Sequence, residues 1–283
     1  MKSRLEDLID IGFGVDVGDT NDMFERFVNF INTECGGIRG RQLDLGQSEW
    51  SPLEGDAAVL AACVEATEDR NTVVAMNSSG MQGPGVLCMT EENETNLITT
   101  QGLSEEFLER SAGRLVTVDA SFSVMLGNMI TFAEDNGLLD GRTIGVVGSD
   151  QQGQPEAVEN GLVNELEARG FPVVVYQTVQ CDGGTVCSIG VPEAVSAMAD
   201  AGVDLVLPTL NILSLPVFVQ EMVTQGFTPD AVDFITSNFN SQAGDLVASK
   251  VKATPALKLR RCTTKQSGSV SYTHLTLPTI CSV

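Results

Sequence analysis

Polar side chains suited to holding a small molecule recur at one kind of place in this chain, just past short apolar runs. Ser78, Ser79 and Gly80 follow the run at 72–76, and Thr99 and Thr100 close the run at 97–100. Gln151 and Gln152 follow 143–147, Thr209 and Asn211 follow 204–207, and Ser237 and Asn238 follow 234–236. Hydroxyls, carboxamides and free backbone N–H groups suit reversible binding, and a Ser-Ser-Gly turn offers donors to a carboxylate. Any one of these residues alone reads equally as a loop or helix cap. Their repetition at successive run ends makes them a set. Covalent chemistry is poorly supplied. The single histidine, His274, lies in an anomalous C-terminal stretch, so a Ser-His-Asp triad has no base. The seven cysteines form no CxxC and have no histidine at zinc-site spacing, although a site built from Asp and Glu alone stays open. Gly12, Gly14 and Gly18 give G-x-G-x-x-x-G, not the dinucleotide fingerprint. Neither a cofactor nor a metal is expected.

The elements that must position these residues alternate. Residues 143–147 form a short β-branched run, 156–168 carry apolar residues at helical spacing, Gly170 closes that helix, and 173–176 form a second apolar run. Strand, crossover helix and strand make a βαβ unit, and the two strands are therefore expected to be parallel and buried on both faces. The loop after the first strand opens where open α/β folds bind ligands. Upstream, a helix over 21–33 places Phe24, Phe27, Val28 and Ile31 on one face, with Thr20 as its cap and Gly36-Gly37 at its end. A strand ending at 8–11, helices at 56–67 and 83–89, a strand at 72–76 of the type buried on both faces, and strands at 97–100 and 115–118 are expected, with Trp50 in a loop. After Ala120 the pattern restarts with helices at 121–136, 192–200 and 215–225 and strands at 204–207 and 234–236. The fold class is α/β with parallel sheets in two lobes.

Composition narrows the partners. Sixteen basic residues stand against 38 acidic ones, a net charge of −22 that would repel phosphate backbones, so nucleic acid is excluded as a partner. The acidity speaks of a solvated surface more than of a cationic ligand. Cys181 and Cys187 bracket a five-residue loop, which suggests a disulfide and an oxidising compartment; buried free thiols are the alternative. No export signal precedes Leu5.

The decapeptide Asn32-Thr33-Glu34-Cys35-Gly36-Gly37-Ile38-Arg39-Gly40-Arg41 resembles the I-N-x-x-G-G-I-x-G-R signature of type I periplasmic binding proteins, the solute receptors of ABC importers. The segment Ala201-Gly202-Val203-Asp204-Leu205-Val206-Leu207 is similar to a strand entry of the same family, and the order of elements between about Ile9 and Ala248 also matches. The resemblance implies two Rossmann-like lobes, residues 5–119 and 120–248 with the first incomplete, closing over a ligand. It implies that Ser78, Ser79 and Gly80 take the ligand's acidic group, that Thr99 and Thr100 face the same cleft, and that Gln151, Gln152, Thr209, Asn211, Ser237 and Asn238 oppose them. It further implies a disulfide Cys63–Cys88, with Cys181–Cys187 as a second bridge and Cys35 and Cys262 unassigned. Implied partners are a small polar solute, such as an amino acid or amide, and an ABC permease, in an extracytoplasmic location. Gln152 departs from the aromatic residue many amino-acid-binding members carry there, and an aromatic cage is poorly supplied. A sensor domain of a membrane receptor is the alternative within the fold, and a Rossmann-type enzyme the alternative outside it.

The end of the chain breaks the pattern. Lys258, Arg260 and Arg261 make 250–265 basic, and residues 270–279 look like a translated sequencing adapter. Residues 249–283 are therefore expected to be non-native or disordered, and the first lobe to leave apolar surface uncovered.

Overall fold

The computed structural model describes residues 2–3, 20–51, 53–77, 83–227, 232–237 and 259–261. The expected strand at 8–11 and the glycines at 12–18 lie outside them, as do Ser78, Ser79, Gly80 and Asn238. Among the described residues no helix is long and apolar enough to cross a membrane.

The first part of the chain contains β1 (Lys2–Ser3), α1 (Thr20–Glu34), β2 (Glu49–Trp50), α2 (Gly55–Val64), β3 (Val74–Asn77), α3 (Pro84–Leu87), β4 (Asn96–Thr99), α4 (Glu105–Arg110) and β5 (Leu115–Thr117). Strands β3, β4 and β5 form a parallel sheet in that order, and β1 pairs in parallel with β2. Trp50, expected in a loop, is buried in the core of this part. That core lies on one face of the sheet, where Ala75, Leu97 and Leu115 meet Val59, Val86, Leu87 and Phe107. The 72–76 strand is consequently not buried on both faces. Val74 and Met76 alternate with buried Ala75 and Asn77 and are 48% and 39% exposed, and Val116 on β5 is 54% exposed. In α1, Phe27 is also exposed, whereas Ile31 is buried and Phe24 and Val28 are half-buried, so the inward stripe is narrower than its apolar spacing suggested.

Two disulfides join pairs of described residues, Cys63–Cys88 between α2 and the π-turn after α3, and Cys181–Cys187 in the second part. Cys35 is also disulfide-bonded.

The second part contains α5 (Phe122–Asp135), β6 (Ile144–Ser149), α6 (Gln154–Val158), α7 (Asn164–Ala168), β7 (Val173–Val179), α8 (Val191–Asp200), β8 (Leu205–Pro208), α9 (Ser214–Thr224), β9 (Asp233–Thr236) and β10 (Leu259–Arg261). A π-turn over Glu159–Val163 joins α6 to α7, so the crossover helix expected at 156–168 is present with a local change of pitch. All strands here are parallel, in the order β10-β9-β8-β6-β7. Helices cover both faces: Val146, Leu205 and Leu207 pack into one core with Leu126 and Ile130 of α5 and Leu162, while Val147 and Val206 pack into the other with Val195 and Phe218. Every residue of β6 is therefore buried, as an apolar run without alternation requires. Strand β7 differs from the expectation because it is the sheet's edge, and Val174 is half exposed. Leu259–Arg261 adds a strand beside β9 within a stretch for which none was expected. Arg142 ties the amino ends of the strands together, bonding the Asp204 carbonyl and the Asp233 carboxylate at 2.7 Å each.

Candidate functional site

Strand order locates the site. From β6 the chain goes to β7 on one side, then returns to place β8 on the other. The switch point thus lies between the carboxyl ends of β6 and β8, where the diverging loops leave a crevice. Residues 148–154 and 208–211 form its lip, which carries Gln151, Gln152, Thr209 and Asn211.

Facing this lip is the segment that follows β4. Gln101, Gly102, Leu103, Ser104 and Phe107 of the first lobe and Phe122, Gln151, Gln152 and Gln154 of the second line a narrow cleft open to solvent. The two lobes approach closely at one rim. Gly153 holds φ +76°, and a Cβ there would collide with the Ser104 hydroxyl and lie 3.1 Å from the Phe107 ring. Beside it, Gln152 Nε2 reaches Glu106 Oε1 at 3.5 Å.

The polar groups of this region divide by what else they hold. Ser104 stands at the N-cap position of α4 but makes no capping bond, and its hydroxyl is buried without a partner. A buried hydroxyl in that state costs about 1–3 kcal/mol, which a ligand acceptor or donor would offset. Gln154 accepts from Ser149 Oγ at 2.8 Å and donates to Gln151 Oε1 at 3.2 Å, which leaves the Gln151 amide nitrogen directed by a fixed oxygen. Asn211, in contrast, is spent on the fold. Its Oδ1 accepts from the Leu213 and Ser214 N–H groups and Ser214 Oγ, and its Nδ2 donates to the Thr185 carbonyl at 2.8 Å. Thr209 is buried and donates to the Val147 carbonyl at 3.3 Å, bracing β8 on β6. Thr99 is buried and accepts from the Gln101 N–H, while Thr100 is exposed. Ser237 is buried and its hydroxyl has no partner, as is the case for Thr236 just before it.

The crossover between lobes forms one wall of the cleft. The Phe122 N–H donates to the Leu103 carbonyl at 3.0 Å, and the Glu105 carboxylate accepts from Ser121 Oγ at 2.6 Å and from Ser123 Oγ. Burial pushes the Glu105 carboxyl upward, but the two serine hydroxyls and its own backbone N–H outweigh it and hold it below the usual glutamate range. At Asp56, near the start of α2, burial raises the carboxyl above the usual aspartate range.

Sequence reasoning brought Gln151 and Gln152 to the cleft and missed Gln101, Ser104, Phe107, Phe122 and Gln154. Gln101 and Ser104 were discoverable from the rule already in use, since they follow the end of β4. Phe107 and Phe122 carried only helical spacing, which does not distinguish a core aromatic from one at a lip. Among the described residues no cluster of His, Cys, Asp or Glu could hold a metal ion.

The three-stranded and five-stranded parallel sheets, joined at 118–121 and facing across the cleft, have the periplasmic-binding-protein-like fold seen in type I solute-binding proteins. Solved structures of that class match the chain. An ABC-transporter solute-binding protein of R. palustris in complex with 4-hydroxybenzoate has a TM-score of 0.55 at 14% identity, covering 75% of this chain and 55% of its own. A second from R. palustris, in complex with benzoate, has a TM-score of 0.57 at 10% identity, with 78% and 58% covered. A branched-chain amino acid ABC transporter protein from Silicibacter pomeroyi has a TM-score of 0.50 at 14% identity, with 75% and 54% covered. The chain thus spans a little over half the length of these structures. No protein-family model and no curated protein matches the sequence.

Proposed function

We propose that this protein is an extracytoplasmic solute receptor that closes two lobes over a small ligand and delivers it to an ABC permease. The observation that carries the reading is the cleft at the carboxyl ends of two parallel sheets, with the unpartnered Ser104 hydroxyl on one side and the oriented Gln151 amide on the other. Its role is binding and closure about the crossover, without covalent chemistry. Neutral amides and hydroxyls beside Phe107 and Phe122 suit a compact ligand with a polar head and a flat apolar face. The benzoates named with the neighbouring structures have that form, and amino acids and amides satisfy the polar part. Ser78, Ser79, Gly80, Thr100, Gln152, Ser237 and Asn238 complete the proposed contact set.

The test is thermal stabilisation of the purified protein by benzoate, 4-hydroxybenzoate, branched-chain amino acids and small amides. A ligand at a hundred times its Kd stabilises by about 2.7 kcal/mol, which raises Tm by about 5–10 °C for lobes of this size. Ser104→Ala and Gln151→Ala are expected to reduce that shift. Failure of every compound, or shifts indifferent to both substitutions, would remove the reading.

A further inference from the structure

The loop closed by Cys181–Cys187 lies in the second lobe, yet its tip rests on the first. The Gly183 carbonyl accepts the Asp56 N–H at 3.0 Å. Asp56 is the second residue of α2, so its N–H is among the four at a helix start that have no acceptor within the helix. Contact is tight: Gly55 holds φ +66°, and a Cβ on it would collide with the Gly183 oxygen. A carbonyl from one lobe therefore completes a helix start in the other.

The loop is held firmly from behind. Asp150 accepts the Cys181 N–H at 2.8 Å, Ser214 Oγ accepts the Cys187 N–H at 2.9 Å, and the Gly184 N–H closes a turn on the Cys181 carbonyl at 2.8 Å. Asn211 holds the Thr185 carbonyl and stands 3.5 Å from Gln151 Oε1, so one side chain touches both the loop and a residue of the cleft lining. A seven-residue loop with a disulfide at its base and hydrogen bonds along its length has lost most of its freedom before it meets the other lobe.

We propose that the Cys181–Cys187 loop is an interlobe latch, whose grip on the start of α2 holds the two lobes together and requires the disulfide to present the Gly183 carbonyl. The latch goes beyond the receptor reading and does not depend on which solute is bound. The experiment reads amide hydrogen exchange at Asp56 in the whole chain with no solute added. In the native protein the Asp56 amide is expected to exchange at least about tenfold more slowly than an unbonded amide. In Cys181→Ser/Cys187→Ser that protection is expected to vanish, while Val59 and Ala62 in α2 and Val146 and Leu207 in the second sheet stay protected. Gly55→Ala, which leaves the disulfides intact and crowds the Gly183 oxygen, covers the case in which the double variant does not fold. It is expected to give the same selective loss. An unprotected Asp56 amide in the native protein, or protection that survives in a folded variant, overturns the latch. Either result leaves solute binding to be judged by its own assay.

Discussion

The crossover clamp gives the sharpest test of the physical argument. Glu105 sits on α4 of the first lobe and takes two hydroxyl donors, Ser121 and Ser123, from the start of α5 in the second. Hydrogen bonds to a charged group contribute about 1.5–3 kcal/mol each when well buried. Glu105 is only half-buried, so solvent screening reduces that. A carboxylate near the amino end of a helix adds about 0.3–1 kcal/mol. Glu105→Ala is therefore expected to cost about 2 kcal/mol, read as a Tm loss of about 4–8 °C. Glu105→Gln keeps the size and one acceptor and should cost about 1 kcal/mol. The pH dependence carries the sign. Because the folded carboxyl titrates below its unfolded value, its stabilisation is fully present above the ordinary glutamate range. It is lost as pH falls from that range through the lowered folded value. Thermal melts of native and Gln proteins between neutral and acid pH should thus converge as pH falls. A gap that is constant with pH, or that widens in acid, would refute the assignment of the clamp to a charged carboxylate.

Other outcomes follow from the same contacts. Gly153→Ala must place a Cβ against Ser104 and Phe107 at a left-handed φ, and should cost about 2 kcal/mol in denaturant melts and weaken any ligand-induced Tm shift. Replacing Cys63 and Cys88 together by Ala releases a bridge between residues 25 apart, and chain entropy places the loss near 3 kcal/mol in chemical denaturation. Asp56 behaves oppositely to Glu105. Burial raises its folded pKa, so its contribution is favourable below the unfolded value and is lost as pH rises through the folded one. The stability of Asp56→Asn relative to the native protein should accordingly rise from acid to neutral melts.

How much of this was legible in the sequence depends on the kind of signal. The second lobe was nearly all readable, because Ile144–Ser149 and Leu205–Pro208 are apolar on both faces and their helices end at Gly170, Gly202 and Gly226. Short apolar runs without alternation suit strands covered on both faces. The same logic misread 72–76 and 173–176: β3 is covered on one face among the described residues, and β7 is an edge. Apolar composition reports what a strand can tolerate, whereas coverage is set by elements distant in sequence. Trp50 failed for a similar reason, since its strand is two residues long and exists only through its pairing with β1.

The candidate site was half legible, and the division has a physical basis. Position at a strand end says that a side chain can reach the crevice, not that its hydrogen-bonding capacity is unspent. Asn211 and Gln151 illustrate this. Both follow strands at the switch point, but Asn211 caps α9 and holds Thr185, because the helix starts three residues later and its N–H groups need an acceptor. Gln151 precedes a helix whose start is instead occupied by Gly153 and Gln154, so its side chain is not drawn into capping. Ser104 inverts the rule, standing where a serine ordinarily caps a helix and making no such bond. The α4 start is left to its own turn, with the Phe107 N–H returning to the Ser104 carbonyl, and the hydroxyl is freed for the cleft. The residues to alter first are therefore those whose capacity local structure leaves unused, and on that criterion Ser104 and Gln151 precede Asn211 and Thr209 as determinants of what the protein binds.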